Sequence, residues 1–435
     1  MKYLRVGDEG TSVEYLQLAL SRAGYQLRTD GIFGERTCEA LRDFLGESGQ
    51  CSVDYEVWQR LLPYLKGYIR YKVEEGDTLA RIAEANQSSV QAILTANPQI
   101  IPENLMVGQE LVVPYDFALV PETVKYSSKL NEYVIEGLTQ RYPFLYRGSI
   151  GKSVMGRDLL YLRIGEGEKQ VFYSASYHAN ENITTPVLLK FAEEYARAYA
   201  RSLSGVSDGT GGEPGLLYGV QSRMLYENFS LYLLPMVNPD GVDLVNGTLT
   251  NGMYFRNAQR IADSFPEIPF PSGWKANIDG IDLNLQFPAG WENARQIKFA
   301  QGYNRPAPRD YVGPAPLQAP ESVAVYDFTR NHDFLLIIAY HTQGEVIYWK
   351  YLDYEPERSF EIAEYFGQVS GYAVEVTPGE SGYAGYKDWF IQDYDRPGYT
   401  IEVGLGVNPL PMSQFDDIYE ANSLILVGGM TQLLT

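Results

Sequence analysis

The sequence predicts an α/β protein whose large C-terminal part, residues 117–435, is built on a mixed, largely parallel sheet flanked by helices. Short apolar runs such as VFYSASY (171–177) and FLLIIAY (334–340) indicate strands buried on both faces, and helical stretches separate them. Strands that alternate with helices are typical of parallel sheets. Before this part, the pattern predicts a small three-helix domain over 1–66 and a strand–helix–helix–strand domain over 67–116.

Composition excludes several classes of function. The 435 residues carry 35 Lys and Arg against 55 Asp and Glu, a net charge of −20. We therefore expect no nucleic-acid partner and no anionic membrane surface as a partner. The sequence holds no apolar run of membrane-spanning length and no visible signal peptide. Cys38 and Cys51 are too few for a disulfide framework, so we expect reduced thiols.

The N-terminal domain has helix start and stop signals. Thr11, with Glu14 three residues later, predicts an N-cap of the capping-box type, and Gly24 predicts the end of that helix. A second helix follows the DGIFG turn (30–34), and a third is predicted to end near Pro63. This stretch resembles the peptidoglycan-binding-1 module, which implies a cell-wall partner. The alternative is a helical spacer that only orients its neighbour.

The second small domain follows a different pattern. IRYKVEEG and LMVGQELVVPY predict two strands, and TLARIAEA and SVQAILTAN between them predict two short helices. With Gly76-Asp77-Thr78-Leu79 and Asn97-Pro98, this domain resembles a LysM domain, which implies binding of glycans that contain N-acetylglucosamine. Two wall-binding domains in one chain indicate where the protein works, and they leave the reaction open.

Two of the three histidines follow predicted strands directly. His178 follows VFYSASY, with Glu181 three residues later, and His341 follows FLLIIAY. Open α/β sheets bind ligands beyond the carboxyl ends of their strands. Two imidazoles and one carboxylate supply three ligands for a zinc ion and leave a fourth position for water. The sequence therefore predicts one Zn²⁺ held by His178, Glu181 and His341. His332 lacks this context and is predicted to be a surface or helix-end residue.

The His-x-x-Glu motif with a distant histidine resembles the zinc carboxypeptidases of the M14 type, over nearly all of residues 120–435. The resemblance implies an M14 carboxypeptidase-like fold and metal-assisted amide hydrolysis, with Glu402 in GYTIEVG as the general acid/base. The end of an apolar strand is expected to raise the pKa of this glutamate. The resemblance also implies that Asn284 binds substrate, and that a tyrosine before KDW covers it. Of Tyr383 and Tyr386, we favour Tyr383.

One departure from the digestive members concerns substrate. They follow the active-site asparagine with an arginine that holds the substrate's C-terminal carboxylate, whereas Leu285 follows Asn284 here, and leucine binds no carboxylate. The segment WKAN…DLN.QFPAGW instead resembles the γ-D-glutamyl-L-diamino acid endopeptidases of spore-forming bacteria. This resemblance implies cleavage of the γ-D-glutamyl–L-diamino acid (meso-diaminopimelate) bond in peptidoglycan stem peptides. It also implies a cytoplasmic or spore-associated protein of a sporulating cell.

A second departure concerns the oxyanion. The family places an arginine shortly before Asp-Leu-Asn, and Asp279 stands in or beside that position here. Loss of one oxyanion donor costs roughly 10²–10³ in rate. Lys275, Arg256 or Arg260 could replace it. Two alternatives therefore stay open beside the endopeptidase: a metallocarboxypeptidase that removes C-terminal residues of peptides, and a wall-binding protein with a weakened M14 domain.

Overall fold

The computed structural model of the chain describes residues 2–46, 51–204 and 215–434. The glycine-rich composition of residues 204–215 predicts a surface loop, and this stretch lies outside the described residues except for its two ends. Among the described helices, none combines the length and the apolar character needed to cross a membrane.

The chain forms two compact units. The first comprises Met1–Lys125 and Glu132–Tyr146, and the second comprises Tyr126–Asn131 and Arg147–Thr435. Each unit has its own buried core.

The first unit begins with three helices and a two-stranded antiparallel ribbon that pairs Leu4 with Val53. Leu16, Leu41 and Trp58, at most 2% exposed, lie in the core of this region. The predicted three helices are present. The elements are β1 (Leu4–Arg5), α1 (Thr11–Arg22), α2 (Glu35–Leu45), β2 (Ser52–Val53) and α3 (Tyr55–Lys66).

The start of α1 differs from the predicted capping box. Gly10 is the N-cap, and its carbonyl accepts hydrogen bonds from the amides of Val13 and Glu14. Its φ of 105° favours glycine. Thr11 is therefore the first helical residue. The Glu14 carboxylate accepts from the amide of Lys125 at 3.0 Å, so it is engaged outside the helix.

Helix α3 continues beyond its predicted end. Pro63 lies inside the helix, which runs to Lys66 and ends at Gly67 in the left-handed conformation. Leu61 and Leu65, four residues apart on one helix face, are both fully buried. Packing of the last turn thus outweighs the hydrogen bond that proline cannot donate.

The prediction of reduced thiols is wrong. Cys38 on α2 and Cys51 just before β2 form a disulfide, with Cα atoms 5.3 Å apart and a sequence separation of 13, and neither cysteine is free. The pairing of β2 with β1 is a tertiary contact that spacing alone does not reveal.

The strand–helix–helix–strand domain is present as predicted. Its two strands pair antiparallel, and Ile82, Ile93 and Val113 lie in its core. The Asn97 side chain joins helix to strand, because it donates to the Val112 carbonyl at 2.7 Å and accepts from the Val112 amide at 2.9 Å. The elements are β3 (Tyr68–Lys72), α4 (Leu79–Ala85), α5 (Val90–Ala96) and β4 (Glu110–Pro114), and α6 (Ser128–Arg141) follows in the chain.

The second unit is built on an eight-stranded sheet. The strands of this unit, in chain order, are β5 (Tyr146–Lys152), β6 (Asp158–Ile164), β7 (Lys169–Ala175), β8 (Leu216–Leu217), β9 (Val220–Gln221), β10 (Phe229–Leu234), β11 (Phe334–His341), β12 (Val346–Tyr348), β13 (Ala373–Glu375) and β14 (Gly398–Glu402). The sheet order is β13-β12-β14-β11-β7-β10-β6-β5, and β8 and β9 form a separate ribbon.

The four central strands, β14, β11, β7 and β10, run parallel. Their carboxyl ends therefore meet at one edge of the sheet. The register places His341 directly beside Glu402, and Tyr340 beside Ala175, three residues before His178. The prediction of a mixed, largely parallel α/β sheet is confirmed.

Helices flank this sheet. An aromatic core that includes Phe172, Phe328 and Trp389 packs against it, and His332, two residues beyond a helix end, stacks on Phe334 as expected for a helix-end residue. The helices are α7 (Thr184–Ser204), α8 (Ser222–Asn228), α9 (Pro239–Val245), α10 (Gly252–Ala262), α11 (Trp291–Ala300), α12 (Pro320–Arg330), α13 (Ser359–Ser370), α14 (Tyr386–Tyr394) and α15 (Phe415–Thr431).

Candidate metal centre and active site

A short turn after β7 brings the first two predicted ligands together. His178 begins a single 3₁₀ turn over Ala179–Glu181. This turn returns the Glu181 carboxylate to the imidazole, with Oε1 2.9 Å from His178 Nδ1. The amide of Ala179 donates to the carbonyl of Lys275 at 3.0 Å, so a second segment of the chain fixes the turn.

The third predicted ligand completes the cluster. His341 Nδ1 lies 3.1 Å from His178 Nδ1 and 3.0 Å from Glu181 Oε2. The three residues form a group able to hold a metal ion, with ligand atoms within 4.8 Å of one another, and all three are buried. The structure thus brings together the residues that the sequence predicts as ligands.

Asp282 fixes the orientation of His178. His178 Nε2 lies 3.1 Å from Asp282 Oδ1, and a proton on Nε2 leaves the lone pair of Nδ1 directed towards His341 and Glu181. A carboxylate on the far nitrogen of a histidine is the usual support of a metal ligand.

Buried charge sets the ionisation of the cluster. Burial raises the pKa of Glu181, but His178 and His341 outweigh burial and hold the pKa well below its ordinary value. Burial lowers the pKa of His341 more than its contact with Glu181 raises it. An ionised carboxylate beside a neutral imidazole is the donor set that zinc prefers.

The ring nitrogens of the two histidines give a further reason why His178, Glu181 and His341 fit a zinc ion. Two imidazole Nδ1 atoms 3.1 Å apart cannot both carry a proton, so at least one lone pair points into the space that they share with Glu181. His341 Nε2 is buried and has no hydrogen-bond partner among the described residues. The short polar contacts of the His341 ring are therefore made by Nδ1, on the side where His178 and Glu181 lie.

Glu402 lies beside the cluster, at the end of β14. It lines the same cavity as His178 and His341, a space of about 220 Å³. Burial, and then the charge of Glu181, raises the pKa of Glu402 to about 8. A carboxyl group with a raised pKa at this place can take up and return a proton near neutral pH.

The zinc carboxypeptidase (peptidase M14) family model matches residues 132–423, the part of the chain that carries the metal cluster. The chain belongs to the M14 zinc carboxypeptidase family. A second family model, the LysM domain, matches residues 71–114. The predicted M14 and LysM domains are therefore confirmed, and the peptidoglycan-binding-1 module stays a prediction.

Two bacterial relatives cover most of the chain. The γ-D-glutamyl-L-diamino acid endopeptidase 1 of Lysinibacillus sphaericus is 44% identical over 306 residues, 70% of this chain and 72% of the relative. The uncharacterized protein YqgT of Bacillus subtilis is 36% identical over 390 residues, 83% of this chain and 98% of the relative. Both alignments extend well beyond the residues of the metal motif.

A solved structure shares the fold of this chain. The crystal structure of thrombin-activatable fibrinolysis inhibitor covers 85% of this chain and 98% of its own, with a TM-score of 0.55 and 15% identity. Family membership and the metal cluster together make this protein a zinc metallopeptidase.

The two predicted substrate-binding residues, Asn284 and Tyr383, lie in different places: Asn284 lines the metal cavity and Tyr383 does not. Asn284 lines the cavity, and its Oδ1 accepts from the amide of Tyr386 at 3.0 Å. Tyr386 is fully buried, and its hydroxyl is bonded to Thr329, which makes it a packing residue. Tyr383 lines a smaller neighbouring cavity and packs against Leu285. Its role in substrate binding stays a prediction.

The sequence left three candidates for the missing oxyanion arginine, namely Lys275, Arg256 and Arg260. The structure places them in two different cavities. Lys275 lines the metal cavity, with Nζ 3.7 Å from Asp282 Oδ2. Arg256 and Arg260 line a different cavity, on α10, together with the exposed Asp279. The bend between residues 275 and 282 is a tertiary feature, so no sequence pattern distinguishes these candidates.

Sequence reasoning missed other cavity residues of this M14 domain. Lys298, Lys387, Asp388 and Thr400 all line the cavity that holds the metal ligands. The KDW motif marks the position of Lys387 in the chain, yet nothing in the motif indicates that its side chain faces the metal site. Thr400 could have been found, because it lies two residues before Glu402 on a strand, and strand residues two apart share a face.

Proposed function

We propose that this protein hydrolyses the γ-D-glutamyl–L-diamino acid bond of peptidoglycan stem peptides. The observation that carries the proposal is the buried cluster of His178, Glu181 and His341 with Glu402 beside it, at one edge of the sheet. The 44% identity to an endopeptidase of this specificity supports the choice of bond. The LysM domain supports a substrate in the cell wall.

His178, Glu181 and His341 would hold the zinc ion. Bound zinc supplies a water of lowered pKa and polarises the carbonyl of the bond to be cleaved. Glu402, beside the ligands in the strand register, accepts the proton of the attacking water. It then gives the proton to the leaving nitrogen of the diamino acid. Asp282 keeps the His178 ring in place through Nε2.

Lys275 supplies the positive charge that the family's oxyanion arginine would supply. Burial lowers the pKa of Lys275, but the charges of Asp282 and Asp310 outweigh burial, so the ammonium stays charged. Lys275 lines the same cavity as Glu402, so a charged donor is available for the carbonyl oxygen as negative charge develops there. This placement argues against an M14 domain weakened by Asp279.

A carboxypeptidase acting on free C-termini has less support. Leu285 lines the cavity next to Asn284, where digestive members carry an arginine, and its side chain offers no charge to a terminal carboxylate. In a longer stem peptide, where the chain continues beyond the diamino acid, cleavage of the γ-D-glutamyl bond needs no such charge.

The N-terminal domains would hold the enzyme on its polymer. The LysM domain is expected to bind glycan, and the three-helix domain before it resembles a second wall-binding module. The disulfide between Cys38 and Cys51 supports action in a compartment that does not reduce it, such as a cell surface or a spore coat. Cytoplasmic recycling of wall fragments is the alternative.

The test is hydrolysis of the tripeptide L-Ala-γ-D-Glu-meso-diaminopimelate by the zinc-loaded protein, followed by mass spectrometry. We expect release of L-Ala-D-Glu and free diaminopimelate. Glu402→Gln should lower kcat by about 10²–10⁴-fold with zinc content unchanged, because it removes the proton acceptor and leaves the ligands intact. A protein that binds one zinc and cleaves no stem peptide would refute the proposal and favour the wall-binding alternative.

A further inference from the structure

The segment that carries Lys275 is fixed through its backbone. The amides of Lys275 and Ala276 donate to the carbonyl of Pro308 at 2.8 and 2.9 Å. The carbonyl of Lys275 accepts from the amide of Ala179 at 3.0 Å. The remaining group, the carbonyl of Ala276, accepts from the side chain of Asn238 at 2.9 Å. All four backbone polar groups of this pair of residues are thus bonded, and one of the bonds comes from a side chain.

Asn238 joins this segment to the turn that carries the first metal ligand. Its Nδ2 donates to the carbonyl of Tyr177 at 3.1 Å, besides the bond to Ala276. Tyr177 precedes His178, and Ala276 follows Lys275. Because both bonds start at one nitrogen atom, the two carbonyls cannot separate without loss of one bond. The Asn238 amide therefore sets the spacing between the backbone of the metal-binding turn and that of the charged donor.

The backbone that leads into the metal-binding turn needs such support. Ser176, two residues before His178, has a φ of 53°, a left-handed conformation that residues other than glycine rarely adopt and that surrounding contacts must hold. The amide of Asn238 donates to the carbonyl of Ser176 at 3.0 Å. Asn238 thus binds two successive carbonyls here, that of Ser176 with its backbone and that of Tyr177 with its side chain.

Asn238 is itself held in one orientation. It is fully buried, and its Oδ1 accepts from the amide of Gly241 at 3.1 Å. That bond leaves Nδ2 as the atom that faces the two carbonyls. A Cβ on Gly241 would lie 2.7 Å from Asn238 Oδ1 and 2.8 Å from both Ala179 Cβ and the Ala276 oxygen. The three segments therefore meet without free space, so a shift of one displaces the others.

We propose that Asn238 is a positioning residue, which holds the ammonium of Lys275 at the distance from the zinc ligands that the developing oxyanion requires. The inference rests on the proposed function, in which Lys275 supplies the charged donor. Asn238 is not among the described residues that line the metal cavity, so it acts through Lys275 and the metal-binding turn. Displacement of a reacting group by about 1 Å can cost roughly 10²-fold in rate, so a small shift at this place is sufficient.

The test is a double-mutant cycle on the zinc-loaded full chain, with the stem tripeptide as substrate. Leucine has the branched shape of asparagine without its donors or its acceptor, so Asn238→Leu removes the bridge. We expect kcat/KM to fall by about 10- to 100-fold, with one zinc ion per chain retained. Lys275→Met should lower kcat/KM by about 10²–10³-fold in the wild type but by less than about tenfold beside Asn238→Leu, because a displaced ammonium contributes less.

A second variant and a control separate positioning from a general loss of stability. Gly241→Ala places a methyl group where the three segments meet and leaves Asn238 in the chain, so it should reduce the cost of Lys275→Met in the same way. Asn422 is a buried asparagine of α15 whose Nδ2 donates to the carbonyl of Ile418 at 2.9 Å. Asn422→Leu should leave the cost of Lys275→Met at its wild-type value.

Each other outcome has a separate meaning. An equal cost of Lys275→Met in the wild type and beside Asn238→Leu would overturn this inference and leave the choice of bond intact. Where Asn238→Leu does not fold, an equal cost beside Gly241→Ala has the same consequence. Loss of zinc in Asn238→Leu would also overturn it, because Asn238 would then support the metal ligands alone.

Two further results concern the proposed function itself. A Lys275→Met variant as active as the wild type would overturn the oxyanion role of Lys275, and this inference with it. Failure of the wild type to cleave the tripeptide would overturn the proposed function as a whole. The cycle therefore distinguishes failure of the positioning role of Asn238 from failure of the reaction on which it rests.

Discussion

One short segment of the chain contributes to two very different cavities. Lys275 and Asp282 line the metal cavity, where charges are buried and paired, whereas Asp279 between them is exposed beside Arg256 and Arg260 on α10. Asp279 is the residue closest in sequence to the family's arginine position, yet it lies in the wrong cavity. On the proposed function, the charge that acts on the substrate is therefore Lys275, which lines the metal cavity, and not the residue nearest to the motif.

The largest expected effect distinguishes the cations of the two cavities. Lys275→Met should lower kcat/KM on the stem tripeptide by about 10²–10³-fold, because it removes the charged donor nearest the reaction. Arg256→Met is the matched change in the outer cavity and should alter the rate less than about twofold, within the range of a surface substitution. The zinc content of each variant should be measured together with kcat/KM, so that loss of metal is not mistaken for loss of the charged donor. A large loss in Arg256→Met with a small one in Lys275→Met would reverse the comparison.

The second effect concerns the bend that separates the two cavities. Asn277 Oδ1 accepts from the amides of Asp279 and Ile281, and its Nδ2 donates to the Glu321 carboxylate at 3.1 Å. Burial raises the pKa of Glu321 to about 7, above its ordinary 4.5. The folded state therefore binds the proton more tightly than the unfolded state. Stability should fall as pH rises from about 4.5 to about 7, by up to about 3 kcal/mol from this group.

Thermal unfolding of the zinc-loaded protein across pH 5 to 8 measures this contribution of Glu321. Glu321→Gln does not titrate, so it should flatten the decline that the wild type shows over this range. An equally steep decline in the variant would assign the pH dependence to other groups.

The smallest effect distinguishes the two aspartates of the segment. Asp282→Asn should reduce zinc affinity or activity by about 10- to 100-fold, because the His178 ring loses its charged support. Asp279→Asn, at an exposed position, should change either quantity less than about twofold. Zinc binding measured by competition with a chelator tests both variants. A stronger loss in Asp279→Asn would support the idea that this residue affects the metal site.

Sequence reasoning succeeded where local pattern determines position. His178, Glu181 and His341 could be placed together, because parallel strands deliver their carboxyl ends to one edge. The two strands and two helices of the LysM domain follow from the strand and helix patterns of its sequence. These features depend on neighbours in the chain or on the regular geometry of a sheet.

Features that depend on tertiary contact could not be predicted in this way. The first helix begins one residue earlier than the capping box suggests, because Gly10, with a φ of 105°, is its N-cap and Glu14 is bound to the amide of Lys125. Cys38 and Cys51 meet only because β2 returns to β1. Lys275 and Lys387 enter one cavity through a bend and a helix start that are far apart in sequence.

The pairing of His341 with Glu402 has a consequence for how this enzyme can vary. His341 and Glu402 are paired on neighbouring strands, which lie about 4.8 Å apart. The regular geometry of the sheet therefore fixes the distance between these two residues. A single inserted residue in either strand would turn one of the two side chains to the opposite face. Loops around the cavity can lengthen or exchange residues freely, and substrate preference can drift with them. The distance between His341 and Glu402 can change only when the register shifts by a whole residue, and on the proposed mechanism such a shift would separate the proton acceptor from the metal ligand.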